Sequence, residues 1–136
     1  VRLREMGVPS YLVASCLTGV LAQRLVPQLC QYCKQQRLLN DEEYVWCQRM
    51  QCRVAATWDA AGCTHCAMTG VSGQTVLAEL FLPDQQARDA MLNPNGTTSD
   101  MLNHARRCGM VSLQTHGLLL VQEGVIALSA VIRLGV

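Results

Sequence analysis

Eight cysteines are the residues of this chain best suited to chemistry, and four of them stand in two pairs of the form Cys-x-x-Cys. The first pair is Cys30 and Cys33, and the second is Cys63 and Cys66. A two-residue gap lets the chain turn so that both sulfurs of a pair face one point, about 2.3 Å from a shared metal ion. Two such pairs predict a structural Cys₄ zinc site with four thiolate ligands.

The segment between the two pairs explains why a metal ion would be useful. Its large apolar side chains are few and scattered, and they are Leu38, Leu39, Tyr44, Trp46, Met50 and Trp58. Ordering such a segment costs roughly 1.5 kcal/mol per residue, and a structural zinc ion contributes about 10–16 kcal/mol toward that cost. We therefore expect metal removal to unfold residues 30–66 and to leave the C-terminal helices largely formed.

Other cysteines and histidines leave alternatives open. Cys47 and Cys52 are candidate extra ligands, but their spacing is less regular than that of either pair. His65 lies inside the second pair and is a candidate replacement for one cysteine. The four thiols of the pairs are also compatible with simple packing in the reduced state. His104 and His116 are interpreted as partly exposed helix residues.

A thioredoxin-like redox role for Cys30 and Cys33 is the enzymatic alternative. One redox pair needs no second pair, and a thiol of low pKa requires a helix N-terminus just after it. Residues 34–39 contain no helix-capping pattern.

The only lysine is Lys34, which follows a cysteine rather than a glycine, so the chain contains no phosphate-binding loop. We expect no nucleotide hydrolysis by this chain alone.

The bulk composition narrows the class of protein. Half of the 136 residues are hydrophobic but only 4% are aromatic, which favours an aliphatic, helix-rich core. The net charge of +1 is thinly spread and predicts no nucleic-acid partner. The longest apolar stretch, residues 11–22, is shorter than the ~20 residues that a membrane-spanning helix needs. No secretory leader pattern precedes the cysteines, so we expect a cytoplasmic metal protein and, from the start at Val1, a fragment.

Local patterns predict the elements that must position the cysteines. Two strands are expected at 20–26 and 75–82, the second with Val76, Ala78, Leu80 and Leu82 on one face. A first helix is expected to end at Gly7, and a second is expected to begin near Pro9. The second helix would bury one stripe of side chains, Leu12, Val13, Cys16 and Leu17, and would end with Gly19 as a left-handed cap. A helix capped by Asn40 is expected at 41–50. Four more helices are expected in the C-terminal half, from Asp84 to Leu92, from Thr98 or Ser99 to Cys108, from Ser112 to Gly124 and at 127–134. The tract Asn93-Pro94-Asn95-Gly96 is expected to break the chain between the first two of these four helices.

A series of motifs covers nearly the whole chain in a specific order. They are Arg2-Leu3-Arg4-Glu5-Met6-Gly7-Val8, Gly19-Val20-Leu21-Ala22-Gln23-Arg24-Leu25-Val26, Leu29, Cys30, Cys33, Gly62, Cys63, Cys66, Thr69, Gly70, Gly73, Glu79, Ala105, Gly109, Met110, Leu113, Gly117, Leu118 and Gly124. In this order they resemble the C-terminal part of the type II secretion and type IV pilus assembly ATPases.

The resemblance implies an α/β fold in three parts. Residues 1–29 would be the end of a RecA-like ATPase core, residues 30–66 a zinc-binding loop, and residues 67–136 a strand followed by a C-terminal helical subdomain. The family's four zinc cysteines correspond to Cys30, Cys33, Cys63 and Cys66. The parent protein would be a homo-hexameric, cytoplasmic motor, peripheral to the inner membrane, that binds ATP and Mg²⁺ and contacts platform proteins of a secretion or pilus system.

Two rival functions come from other classes of protein. One is an independent zinc-held module for protein interaction, and the other is the thiol–disulfide redox protein considered above.

Overall fold

The computed structural model describes residues 2–93 and 97–135. These residues form a mixed α/β structure, as expected. Its elements, in chain order, are α1 (Arg2–Glu5), α2 (Ser10–Cys16), β1 (Val20–Leu29), β2 (Lys34–Leu38), α3 (Asp41–Arg49), β3 (Ala56–Ala60), a 3₁₀ helix (Thr64–Cys66), β4 (Val71–Phe81), α4 (Gln85–Leu92), α5 (Thr98–Arg107), α6 (Leu113–Gln122) and α7 (Leu128–Ile132). The start at Val1 and most of the expected break at 93–96 lie outside the described residues.

The strands form two antiparallel pairs. In one pair, β1 lies beside β4, so that Cys30 N donates to Gly70 O at one end and Gly19 lies against Leu82 at the other. In the other pair, β2 lies beside β3, with Lys34 opposite Ala60 at one end of the register and Leu38 opposite Ala56 at the other. The second pair was not foreseen from the sequence. Strand β1 is also longer than expected and continues through Pro27 to Leu29.

Two compact units divide the chain. The first comprises Val1–Ala22 and Glu79–Ser112, and the second comprises Gln23–Ala78 and Leu113–Val136. Each unit therefore takes two separate pieces of sequence. As a result, α4 and α5 belong to the first unit, whereas α6 and α7 belong to the second together with the cysteine pairs.

In the first unit, α2 packs on α4. Ala14 is the buried residue of α2, and Arg88 of α4 donates a hydrogen bond to its carbonyl oxygen. The expected stripe was wrong in part, because Cys16 is exposed. Gly19 does not have the positive φ of a left-handed cap. A Cβ there would instead lie 3.0 Å from Leu82 Cδ2, so this position favours glycine because another side chain approaches it closely.

In the second unit, the buried side chains come from β4, α6, α7 and the segment between these helices. They are Leu77, Val121, Ile126, Leu128 and Val131. The strand expected at 75–82 lies within β4, and Val76 and Leu80 of its expected apolar face are 43% and 49% exposed. Gly117 of α6 lets Leu77 and Val131 approach its Cα, so the odd-numbered face of β4 is the one that packs.

Helix α3 begins as the sequence predicted. Asn40 Oδ1 accepts a hydrogen bond from Glu43 N at 2.8 Å, and Glu43 Oε2 accepts one from Asn40 N at 3.0 Å. These two bonds form a capping box. Glu43 is only 4% exposed, and Arg37 of β2 binds both of its oxygens, at 2.7 and 2.8 Å. Arg37 also pairs with Asp59 of β3, so one guanidinium connects three elements.

We expect Arg37→Met to lower the free energy of unfolding of the second unit by about 2 kcal/mol. Removing one partner of a buried ion pair costs roughly 3–5 kcal/mol, and the cost here is smaller because the Arg37 side chain is 34% exposed. Arg49→Ala is the matched control, since Arg49 is an exposed arginine of α3. Urea denaturation of both variants tests the expectation, and equal losses would contradict it.

Candidate metal centre

The two strand pairings bring the two cysteine pairs to one place. Cys30 and Cys33 lie in the turn between β1 and β2, while Cys63 and Cys66 lie between β3 and β4, at the two ends of the 3₁₀ helix. Strand β1 pairs with β4, and β2 pairs with β3. The β1–β2 turn and the β3–β4 turn therefore connect the same two pairs of strands at the same end. The two turns therefore lie side by side.

The four sulfur atoms converge on one point. Cys30 Sγ and Cys63 Sγ are 3.8 Å apart, Cys33 Sγ and Cys66 Sγ are 3.9 Å apart, and Cys63 Sγ and Cys66 Sγ are 3.8 Å apart. All four atoms lie within 4.8 Å of one another. A tetrahedron with Zn–S bonds of ~2.3 Å has edges of about 3.8 Å. The structure thus brings together all four cysteines singled out in the sequence, in a geometry that fits a zinc ion. Their role as ligands stays a prediction.

Backbone amides favour negative charge at one of the sulfurs. Cys63 N and Gly70 N each donate a hydrogen bond to Cys66 Sγ at 3.2 Å. Burial opposes ionisation of Cys66, but these amides, together with hydrogen bonds from the Cys63 and Cys33 thiols, lower the pKa of the Cys66 thiol from 9.0 to about 6. Burial raises the pKa of Cys33 to about 12, against a backbone hydrogen bond at Gly62. A cation bound here would therefore favour the thiolate form of Cys33.

An aromatic pair joins the two turns on the outside. The rings of Tyr32 and His65 stack with centroids 4.0 Å apart and an interplanar angle of 18°. Each ring comes from inside one Cys-x-x-Cys pair, so the stack connects the two pairs at the surface. His65 was a candidate replacement ligand. The cluster formed by the described residues at this place contains the four cysteines and not His65.

Lys34 makes contacts beyond the cluster. Its Nζ donates to Gly124 O at 2.7 Å and lies 5.2 Å from the centroid of the Trp58 ring, which itself packs against Gly124. Lys34 therefore attaches the first turn to the end of α6. The donors that the structure places on Cys66 Sγ are the backbone amides described above.

Cys47 and Cys52 lie apart from the four sulfurs. Cys47 is buried in α3, where burial raises the pKa of its thiol to about 12, and Cys52 N donates to Cys47 O just after the helix. Among the described residues, neither cysteine belongs to a metal-binding group.

The sequence analysis missed a different group, in which Asp84, His104 and Cys108 approach one another. The sequence did contain one indication of this group, because His104 and Cys108 are four residues apart and therefore share a face of one helix.

Comparison with known proteins identifies the class of protein. The family model described as type II/IV secretion system protein matches residues 1–133, and the chain belongs to this family. The resemblance noted in the sequence is thereby confirmed. Among the described residues, every helix is too short or too polar to pass through a bilayer.

Individual relatives come from several transport systems. The chain is 35% identical to protein transport protein HofB homolog of Escherichia coli over 98% of its length, and 35% identical to type II secretion system protein HxcR of Pseudomonas aeruginosa over 97%. It is 32% identical to the type IV pilus assembly ATPase PilB of Thermus thermophilus over 96%. The aligned region spans 28%, 24% and 15% of these three relatives.

Proposed function

We propose that this chain is the zinc-carrying C-terminal portion of an ATPase that powers a type II secretion or type IV pilus assembly system. The observation that carries the proposal is the convergence of four thiols in a chain of this family, with sulfur separations of 3.8–3.9 Å. Cys30, Cys33, Cys63 and Cys66 would hold one structural Zn²⁺ ion. The zinc ion would fix the two turns and thereby the strand ends that meet there.

The catalytic machinery would lie elsewhere in the parent protein. Lys34 does not belong to a phosphate-binding loop, and its Nζ is engaged by Gly124 O. The relatives aligned here are three or more times longer than this chain. ATP and Mg²⁺ would therefore be bound by other parts of the parent, and residues 1–29 would complete its RecA-like core. In the same division, residues 30–66 are the zinc loop and residues 67–136 the strand and helical subdomain.

The surface of the second unit suits a role in assembly. Its strand segments expose large apolar side chains, with Leu25 at 64%, Val76 at 43% and Val71 at 39%. These side chains lie on the neighbouring strands β1 and β4, and apolar surface exposed in this way suits contacts with other protein surfaces. We assign this surface to contacts within a homo-hexamer or with membrane-platform proteins, at the cytoplasmic side of the inner membrane. The names of the relatives, which refer to protein transport, secretion and pilus assembly, support this assignment.

The test separates assembly from nucleotide binding. In the full-length parent, Cys63→Ser should impair hexamer formation or secretion while leaving nucleotide binding by each subunit within about twofold, because this chain contains no phosphate-binding loop and the nucleotide would be bound by other parts of the parent. The 136-residue chain alone should show no ATP hydrolysis. Sedimentation and binding of a fluorescent ATP analogue measure the two properties. Cys16→Ser is the matched control, since Cys16 is exposed and lies outside the cluster.

Two results would contradict the proposal. One is loss of nucleotide binding in a Cys63→Ser parent that remains folded. The other is ATP hydrolysis by the isolated chain. A parent whose assembly and secretion are unchanged by Cys63→Ser would show that the zinc unit acts as an independent module instead.

A further inference from the structure

A second group of metal-ligating side chains lies in the first unit, separate from the four cysteines. It consists of Asp84, His104 and Cys108, whose ligand atoms all lie within 4.8 Å of one another. Asp84 is the N-cap of α4. His104 lies in the last turn of α5, and Cys108 is its C-cap residue. Residues four apart on a helix share a face, so α5 presents both side chains to Asp84.

One nitrogen atom faces both partners. His104 Nε2 lies 2.8 Å from Asp84 Oδ2 and 3.6 Å from Cys108 Sγ, and Asp84 Oδ2 lies 3.7 Å from Cys108 Sγ. In a nucleophilic relay, one ring nitrogen of the histidine faces the nucleophile and the other ring nitrogen faces the orienting carboxylate. The same nitrogen cannot do both. The arrangement therefore differs from a Cys–His–Asp relay and matches three ligands converging on one point.

The distances fit a tetrahedral zinc ion with a small adjustment. In a tetrahedral site with Zn–N and Zn–O bonds of ~2.1 Å and a Zn–S bond of ~2.3 Å, the sulfur ligand should lie about 3.6 Å from the nitrogen ligand and from the oxygen ligand. The two observed edges to Cys108 Sγ are 3.6 and 3.7 Å. The edge between His104 Nε2 and Asp84 Oδ2 should be about 3.4 Å, and the direct hydrogen bond between them draws it to 2.8 Å. A metal ion would replace that hydrogen bond.

The surroundings leave the required atoms available. Ala87 N donates to Asp84 Oδ1 at 2.8 Å, which fixes the carboxylate. His104 Nε2 lies 3.0 Å from Oδ1 and 2.8 Å from Oδ2, and Oδ2 is the oxygen that also faces Cys108 Sγ. A cavity of about 150 Å³ adjoins the group, and Asp84, His104 and Cys108 all border it. The Asp84 side chain is 48% exposed, so water reaches the site from solvent.

We propose that Asp84, His104 and Cys108 form a second metal site, for a borderline divalent cation such as Zn²⁺, with water as the fourth ligand. One carboxylate oxygen, one imidazole nitrogen and one thiolate are a donor set that zinc accepts and that harder cations such as Mg²⁺ do not. The ion would join the first turn of α4 to the last turn of α5.

The experiment is a count of bound metal on the full chain. Chelated protein is reloaded with Zn²⁺, freed of excess by gel filtration, and measured by elemental analysis. We expect two zinc ions per chain in the original protein and one in His104→Ala and in Cys108→Ser. Asp84→Asn should weaken the site at least tenfold while keeping an oxygen for the helix cap. Cys16→Ser, a substitution at an exposed cysteine of the same unit, should keep two.

Loading with Co²⁺ identifies the ligands independently of the count. Cys108→Ser should remove one thiolate-to-cobalt absorption component and leave the rest of the spectrum intact. Far-ultraviolet circular dichroism of each variant confirms that it is folded, and His104→Gln replaces His104→Ala if the latter is not. A stoichiometry that is the same in the original chain, His104→Ala, His104→Gln and Cys108→Ser would overturn the proposal. This outcome is distinct from failure of the four-cysteine site, which Cys63→Ser tests.

Discussion

Loss of the four-cysteine metal site should unfold α6 and α7 together with the turns that carry the cysteines. In the Cys63→Ser chain, we expect residues 23–78 and 113–135 to lose hydrogen-exchange protection, while α2, α4 and α5 keep theirs. A structural zinc ion contributes about 10–16 kcal/mol of binding free energy. That is comparable with the whole stability of a typical domain, roughly 5–15 kcal/mol, so the second unit should not survive without it.

The contacts of α6 and α7 explain why they should unfold with the turns. Leu128 N, at the start of α7, donates to the buried Thr57 Oγ1 of β3 at 3.2 Å, and Leu29 N of β1 donates to Val125 O at 2.9 Å. Lys34 Nζ binds Gly124 O at 2.7 Å. The two helices therefore pack on the strands that the metal site holds. This revises the expectation from sequence, which grouped every C-terminal helix into one metal-independent subdomain.

Hydrogen exchange with mass spectrometry on the full chain distinguishes the two outcomes. Cys16→Ser serves as the control, because it removes an exposed thiol of the first unit and leaves the cluster intact. If residues 113–135 stayed protected while residues 30–66 exchanged freely, the grouping expected from sequence would be right. Loss of protection in α4 and α5 as well would show that the two units unfold together.

Gly70→Ala should be far more damaging than Gly73→Ala, although both glycines have positive φ, +73° and +83°. A Cβ at Gly70 would lie 2.5 Å from Ala60 O, whereas a Cβ at Gly73 meets nothing within 4 Å. The strain of a left-handed alanine costs about 1–2 kcal/mol at either position. Gly70→Ala must in addition displace the backbone that donates to Cys66 Sγ and accepts from Cys30 N.

We expect Gly70→Ala to weaken zinc binding at this site by at least tenfold, the usual size of an effect on groups that support metal ligands. Gly73→Ala should leave the zinc affinity unchanged and cost only the conformational strain. Competition with a chromogenic chelator measures the affinity, and urea denaturation measures the stability. Similar zinc affinities in the two variants would show that the backbone around Gly70 does not support the site.

The local features of this fold were predictable because they are encoded within a few residues. The capping box of Asn40 and Glu43 is a contact between residues three apart, and it was identified from the sequence alone. The same holds for the Asp84 cap of α4. The spacing of the two cysteine pairs likewise marked the four thiols that converge, although the two pairs are far apart in the chain.

The features that were not predictable depend on tertiary packing. β2 contains Lys34, Gln35, Gln36, Arg37 and Leu38, a sequence with no strand alternation, and it forms a strand because β3 and the Arg37 ion pairs hold it. Which face of β4 is covered was also not predictable, because Val76 and Leu80 are apolar but exposed, and it is Leu77 that packs against α6. Nothing local reports which side of a strand a helix will cover. The pairing of His104 with Asp84 also required the structure.

The identity and number of ligands at the four-cysteine site is the most direct test of this account. X-ray absorption at the zinc edge should be recorded on the His104→Ala chain, in which only the four-cysteine site is expected to bind. We predict one zinc ion per chain, surrounded by four sulfur atoms at about 2.3 Å. A first shell containing nitrogen or oxygen, or zinc well below one ion per chain, would contradict the assignment of Cys30, Cys33, Cys63 and Cys66.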